Sequence, residues 1–311
     1  MLQIQDVSFT YPNQKSNSIK AISFQLSKGE NLAIMGESGC GKSTLLKLIY
    51  GLYDVEEGSI FWNNEQVTGP KFNLVPGMTS MKYLAQDFDL MPYITVAENI
   101  GKYLSNFFPK EKQNRVTELL DVVEMTPFAN VKAKFLSGGQ MQRVALAKVL
   151  AKEPELLLLD EPFSHIDNFR KNSLRRKIFT YLKEKGITCI MATHDVNDAL
   201  SFTDKVLVLQ NGSLVTHDTT DNVYNQKVNY YVASLFDEVS QIEIDGKLQS
   251  FYPNEFEIVA NSEFKVEVVQ TYFKGNSYLV EALFKGKKVY FNSDENIIPQ
   301  TEIYLQKKSR S

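Results

Sequence analysis

Residues that build covalent or metal frameworks are scarce in this chain: two cysteines, Cys40 and Cys189, and three histidines in 311 residues. The cysteines have no metal-ligand spacing, which argues against a zinc module or a disulfide scaffold and fits a reducing compartment. A charge excess is missing too. The formal net charge of −3 argues against nonspecific nucleic-acid binding and against direct attachment to anionic lipid. No stretch reaches the roughly 18 to 20 consecutive apolar residues that cross a bilayer. The opening "MLQIQDVSFTYPN" has neither the basic start nor the apolar core of a signal peptide, so a cytoplasmic location is the expectation. Internal repeats and low-complexity tracts are likewise lacking.

What is present is ordinary globular material, in a length that suits one large domain with a small one. The first strands alternate: "LQIQDVSFTY", a turn at Pro12-Asn13, then "IKAISFQLS". After a turn at Lys28-Gly29-Glu30, "NLAIMG" reads as a short buried strand and "KSTLLKLIYGL" as a helix stopping near Gly51. Asn63-Asn64 in "GSIFWNNEQV" marks a hairpin turn. Between about 92 and 151 the pattern is helical, in "TVAENIGKYLSNFF", "KEKQNRVTELLDVVEM" and a segment after Ser137. "ELLLLDEP" and "GITCIMATHD" read as buried parallel strands. Strand–helix alternation around a glycine loop predicts an α/β sheet with helices on both faces.

Past about residue 236 the character changes. "FKVEVVQTYF", "SYLVEALF" and "KKVYFN" alternate apolar and polar, parted by Lys274-Gly275-Asn276 and Lys285-Gly286-Lys287. They predict a small antiparallel β unit, a partial barrel. The expected domains are therefore 1–235, with its helical part at about 92–151, and 236–311.

The chemistry concentrates in "GESGCGKST", where Gly36, Gly39, Gly41, Lys42 and Ser43 match G-x-x-x-x-G-K-[ST] between a strand and a helix. A loop of this kind, here with Glu37, Ser38 and Cys40 between the glycines, turns its N–H groups inward around a β-phosphate. Lys42 is expected to reach the β- and γ-phosphates, Ser43 to ligate Mg²⁺ and Thr44 to donate to the α-phosphate. Asp160 and Glu161 close an apolar strand, at the edge where open α/β sheets bind ligands. Asp160 is placed to hold Mg²⁺ through its water shell, and Glu161 to polarise the water that attacks the γ-phosphate. His194 ends another strand at the same edge, where an imidazole reaches the γ-phosphate or the water. Gln86 is a neutral amide suited to sensing Mg²⁺ and water, and Tyr11 is a strand-end aromatic that becomes functional if it stacks on adenine. A second anion-binding helix start stands in "FLSGGQMQR": Ser137 caps, Gly138 and Gly139 bare their N–H groups, and Gln140 completes a capping box.

In this order the segments resemble the ATP-binding subunits of ABC transporters. "GESGCGKST" is similar to their Walker A, "LLLLDE" to Walker B, "LSGGQMQR" to the signature and "THD" to the switch histidine. "LAQDF" is similar to the glutamine loop and "SHID" to the D-loop. The resemblance covers residues 1 to about 235. It implies a head-to-tail pair of copies, each ATP lying between the phosphate loop of one and Ser137, Gly138, Gly139 and Gln140 of the other. It also implies adenine stacking by Tyr11, coupling through Gln86, Asp167 at the dimer axis, and Glu161 as base with His194 as its partner. ATP and Mg²⁺ are the implied cofactors. A short helix of a membrane subunit would be received between Gln86 and Met91. Met141 stands where the family has glutamine, His165 and Ile166 replace its small residue and leucine, and "TGPKFNLVPGMTSMKY" departs from its importers.

A single nucleotide domain without a span implies a peripheral subunit on the cytoplasmic membrane face, serving separate permease subunits and an external solute-binding protein, with no nucleic acid. The β unit is similar, more weakly, to the oligonucleotide-binding-like accessory domain of importer subunits for ions, iron, polyamines and sugars. "FYPNEFEIV" is similar to its "RPE" segment, with Tyr252 in place of arginine. Importer is the leading reading; a separate-permease exporter and a soluble non-transport ABC ATPase are the alternatives.

Overall fold

The computed structural model describes residues 1–12, 16–244 and 246–308, so Asn13 of the expected Pro12-Asn13 turn lies outside the described residues. The chain divides into a unit of Met1–Asn222 and a unit of Val223–Ser311.

In the first unit the strands are β1 (Leu2–Phe9), β2 (Ile19–Leu26), β3 (Asn31–Met35), β4 (Glu57–Trp62), β5 (Glu65–Gln66), β6 (Met81–Leu84), β7 (Leu156–Asp160), β8 (Thr188–Ala192), β9 (Lys205–Gln210) and β10 (Ser213–Thr219). The helices are α1 (Lys42–Ile49), α2 (Val96–Gly101), α3 (Pro109–Val122), α4 (Gly138–Leu150), α5 (Asn168–Glu184) and α6 (Val196–Phe202). An antiparallel sheet runs β2-β1-β4-β5, and the larger sheet runs β10-β9-β3-β8-β7-β6 with only β10 antiparallel to its neighbour. The hairpin at Asn63-Asn64 forms as read, both residues taking positive φ (51° and 68°), the geometry that suits a tight turn joining twisted strands.

Strand β7 is buried along its whole length and its side chains alternate between two cores. Leu157 and Leu159 face the helical side with Ile100, Leu119, Leu146 and Ile178. Leu156 and Leu158 face α1 and the antiparallel sheet, with Leu45, Leu46, Ile60 and Trp62. A strand covered on both faces must be apolar throughout, which is why "LLLL" carries no helical or amphipathic period.

The helical region is more broken than its sequence suggests. The segment expected to be helical over 95–108 stops at Gly101. Phe108 precedes Pro109, which disfavours the α region there; it sits at φ −122°, ψ 72°, and a new helix starts with the proline in its first turn. Met141 is partly buried against the helical core, so an apolar side chain at that place in the signature segment has a packing role.

The second unit begins inside α7 (Thr220–Gln226) and continues with α8 (Tyr230–Ser234). A hairpin of β11 (Ser240–Ile244) and β12 (Lys247–Phe251) follows. Then β13 (Phe256–Val259), β14 (Phe264–Phe273), β15 (Tyr278–Phe284), β16 (Lys287–Ser293) and β17 (Glu302–Lys307) form an antiparallel sheet in the order β13-β17-β14-β15-β16. The alternation read in the sequence puts Val266, Val268, Val280, Ala282, Val289 and Phe291 into one core. Tyr252, fully buried, stacks on Tyr224 at 4.7 Å, and the Lys227 ammonium lies 4.5 Å over its ring while pairing with Glu255 at 2.8 Å. A tyrosine in place of arginine thus joins an aromatic cluster whose cation comes from another residue.

One charged cluster is buried in the first unit. Arg175 of α5, 2% exposed, pairs with Asp195 and, at 2.5 Å, with Asp198, both on the start of α6 just after His194. Burial pushes both carboxyls up; at Asp195 the bond and charge of Arg175, together with the Asn197 N–H and Lys171, more than reverse this, whereas at Asp198 burial prevails over the Thr193 bond and Arg175. Removing the guanidinium leaves the buried Asp198 without its cation and Asp195 with Lys171 alone, at 3.7 Å. Arg175→Ala should therefore lower the stability of the protein by about 3–5 kcal/mol in a denaturant titration.

Candidate functional site: a phosphate loop at the sheet edge

The loop after β3 is shaped by contacts that leave no room for side chains. A Cβ at Gly36, whose φ is +146°, would lie 2.3 Å from the Leu209 carbonyl oxygen of β9, so the loop can hug the sheet only with glycine there. Lys42 enters α1 and its ammonium, largely buried, donates to the Gly36 and Glu37 carbonyls at 2.7 and 2.9 Å. The lysine is thereby held across the loop mouth. Cys40 is buried behind the loop, and burial pushes its thiol pKa up, which keeps it a thiol rather than a nucleophile.

A cavity of about 680 Å³ opens in front of this loop. Its walls bring together Tyr11, Ser38, Gly39, Gly41, Lys42, Ser43, Thr44, Gln86 and Glu161 from segments far apart in sequence. The Tyr11 hydroxyl lies 3.1 Å from Thr44 Oγ1, and its ring packs edge-on against Phe9 and Tyr53 at 4.9 and 5.4 Å.

Behind Ser43 stands Asp160, 4% exposed. Its Oδ1 accepts from Ser43 Oγ at 2.9 Å and its Oδ2 from the Tyr83 hydroxyl at 3.2 Å. Burial pushes the Asp160 carboxyl up, opposed by these two hydrogen bonds. The hydroxyl and the carboxylate behind it are hard oxygen groups that would suit Mg²⁺ and its bound water. Next along the chain, Glu161 sits at φ +50°, a sparsely populated conformation for a side-chain-bearing residue. Its backbone is clamped from two sides: its N–H donates to Ala192 O at 3.0 Å, and its carbonyl accepts from Gln142 Nε2 at 2.9 Å. Oε1 of Glu161 lies 3.3 Å from Nδ1 of His194, whose side chain is 68% exposed. The two side chains thus share one sheet edge, with the glutamate facing the cavity.

The helix start at Ser137, read from the sequence as a second anion site, lies elsewhere. Ser137 caps α4 in a complete capping box, its Oγ accepting from Gln140 N–H at 3.3 Å while Gln140 Oε1 accepts from Ser137 N–H at 2.8 Å. Neither these residues nor Gly138, Gly139 or Asp167 are among those lining the cavity. The segment is instead bolted to the chain after Glu161. A Cβ at Gly139 would stand 2.6 Å from the His165 carbonyl oxygen, and His165 N–H donates to Gln142 Oε1 at 3.0 Å. Ile166 is buried in the helical core, and His165 packs edge-on to Phe88 at 5.4 Å.

Some of this was not visible in the motifs. Gln142 bridges two of them, yet nothing in its spacing marks it. Ser18, Asn211 and Gly212 line the cavity as well, the last two at the tip of the β9–β10 hairpin. There the Asn-Gly pair between "KVLVLQ" and "SLVTHD" was a usable turn signal.

Comparison with known proteins turns this geometry into a family. The family model described as ABC transporter matches residues 19–164. A spermidine/putrescine import ATP-binding protein of Roseobacter denitrificans is 36% identical over 232 residues, 74% of this chain and 63% of that protein. An Fe(3+) ions import ATP-binding protein of Haemophilus influenzae is 31% identical over 92% of this chain and 90% of its own length. The chain belongs to the ABC transporter family. It is one of the family's ATP-binding proteins, an ATPase. Among solved structures, the ATP-binding cassette MJ0796, as a post-hydrolysis dimer bound to ADP and Pi, matches with a TM-score of 0.62 at 29% identity, over 71% of this chain and 99% of that one. Another, cbiO1 of Clostridium perfringens, gives 0.63 at 27% identity over 73% and 92%. Against the polyamine protein, then, the match spans under two thirds of the relative's length, whereas the iron protein is matched almost end to end.

Lys42 holds a largely buried ammonium at the loop mouth, and charge-assisted hydrogen bonds from such a group contribute roughly 1.5–3 kcal/mol. Lys42→Ala should weaken ATP binding about 10- to 100-fold in a calorimetric titration.

Proposed function

We propose that two copies of this chain close head to tail on two ATP molecules and that their hydrolysis drives a separate membrane permease. In this reading the subunit sits peripherally on the cytoplasmic membrane face and serves import of a small solute. The relatives named for import of polyamines and Fe(3+) support this direction and this class of cargo, and an external solute-binding protein completes the system.

One observation carries the dimer reading: the phosphate loop and the Ser137 helix start are both shaped for anions, yet they do not line a common cavity. A second copy supplies what is missing. Ser137, Gly138, Gly139 and Gln140 of one copy then meet the γ-phosphate held by Lys42 of the other, with Asp167 near the shared axis. A dimeric cassette with ADP and Pi among the structural neighbours supports the same arrangement. Since both sets of donors converge only on a triphosphate, ATP favours the closed pair by differential affinity.

Glu161 faces the cavity and takes a proton from the attacking water, while His194 steadies its carboxylate and reaches for the γ-phosphate. Ser43 and Asp160 are the Mg²⁺ side of the site, Asp160 acting through the ion's water shell; when bound, Mg²⁺ supplies charge neutralisation at the β- and γ-phosphates. Gln86 reads the nucleotide side, and Tyr11 offers its ring to adenine.

The permease reading has its own support. A second cavity, of about 720 Å³ and mostly apolar, is lined by Tyr50, Tyr83, Phe88, Tyr103 and Val149. Ala85 and Asp87 line this cavity while Gln86 between them lines the nucleotide cavity, so the short stretch after β6 borders both. Phe72, Leu74 and Val75, beside it in sequence to Tyr83, are strongly exposed apolar residues in the segment that departs from the family pattern.

Three outcomes test this. Glu161→Gln should retain ATP binding, accumulate as a dimer in size exclusion with ATP, and lose at least 100-fold in turnover; sustained hydrolysis would remove the assigned base. Ser137→Arg should leave ATP binding to the single copy nearly intact and abolish dimerisation and hydrolysis. Affinity purification from native membranes should recover integral-membrane permease subunits; recovery only in a soluble complex would favour a non-transport ATPase, and efflux from loaded vesicles an exporter.

A further inference from the structure

Asp160 presents two oxygens, and only one of them is turned to Ser43. The other, Oδ2, receives the Tyr83 hydroxyl at 3.2 Å. Tyr83 belongs to β6, paired with β7 in parallel register, where it stands opposite Leu158 two residues before Asp160. Its ring lies 5.6 Å from that of Tyr50 on α1's trailing end, so the phenol is aimed by packing on one side and by the sheet on the other. A phenol hydroxyl donates here, and a carboxylate can only accept.

The bond is significant because Asp160 is almost wholly buried. A carboxylate held at one oxygen swings about its χ2; donors on both oxygens fix its plane. Partners of this kind orient a carboxylate that serves a metal, here through the ion's water shell, without touching the metal. Tyr83 also lines the apolar cavity and is not among the residues lining the nucleotide cavity. One side chain thus has its ring in the wall of one cavity and its hydroxyl on the carboxylate behind the other.

We propose that Tyr83 is a positioning residue of the nucleotide site, setting the orientation of Asp160 from the wall of the apolar cavity. The inference rests on the Mg²⁺ role of Asp160 given above. Movement of that wall by an occupant shifts the hydroxyl, and with it the carboxylate, so the metal side of the site responds to the cavity by a path separate from Gln86.

Tyr83→Phe removes one oxygen and keeps the ring on Tyr50. In the full-length protein, Mn²⁺ binding in the presence of ADP, followed by electron paramagnetic resonance, should weaken about 10-fold or more. ATP affinity in EDTA should stay within about two-fold, and the Mg²⁺ concentration for half-maximal hydrolysis should rise in step with the Mn²⁺ shift. Unchanged Mn²⁺ affinity overturns the proposal. So does an equal loss of metal-free ATP affinity, which marks a general packing defect. Asp160→Asn, measured alongside, separates the two layers: unaltered Mn²⁺ affinity there removes the metal role itself, whereas a loss there with none in Tyr83→Phe removes Tyr83 alone.

Discussion

A strand buried on both faces can place its first polar residue only at its end, and this constraint organises the first unit. Strand β7 spends four leucines filling two cores before Asp160 and Glu161 reach the sheet edge. The loop after β3 emerges at the same edge because β3 and β7 flank β8 in parallel register. Carboxylates, phosphate loop and histidine are thus gathered by sheet order, with no long-range search by flexible loops.

Electrostatics then refine what topology delivers. Burial opposes charge on Asp160, and two hydroxyl donors, from Ser43 and Tyr83, satisfy its oxygens. Glu161, one residue on, keeps a strained φ that is locked by backbone bonds to Ala192 and Gln142. The neighbouring carboxyls therefore differ in environment: one enclosed and bonded, the other partly open and beside an imidazole. That difference suits the separate roles proposed for them.

Much of this was legible because it is local. The glycine loop, the capping box at Ser137, the apolar strands and the Asn63-Asn64 turn each depend on a few adjacent residues. The helix expected through 108 was overestimated because its apolar period continued past Gly101, where the helix stops, while Pro109 set only where the next one starts. Met141 looked anomalous as a motif letter and is ordinary as a partly buried apolar side chain. Tyr83, Gln142 and Arg175 left no trace in spacing, since their partners come from other elements and only folding introduces them. The β unit was visible as alternation, but the cluster of Tyr252, Tyr224 and Lys227 was not.

The contact between Gly139 and the His165 carbonyl also has a mechanical meaning. With no side-chain atom between them and Gln142 bonded to both flanks of the turn, the helix start and the turn after Glu161 share one stiff joint. Close-packed joints transmit displacement rather than absorb it. On the proposed pairing, the joint couples a grip on one copy's triphosphate to the catalytic edge of the other. Two chemically independent ATP sites would then behave as one mechanical cycle, with neither half free to run ahead.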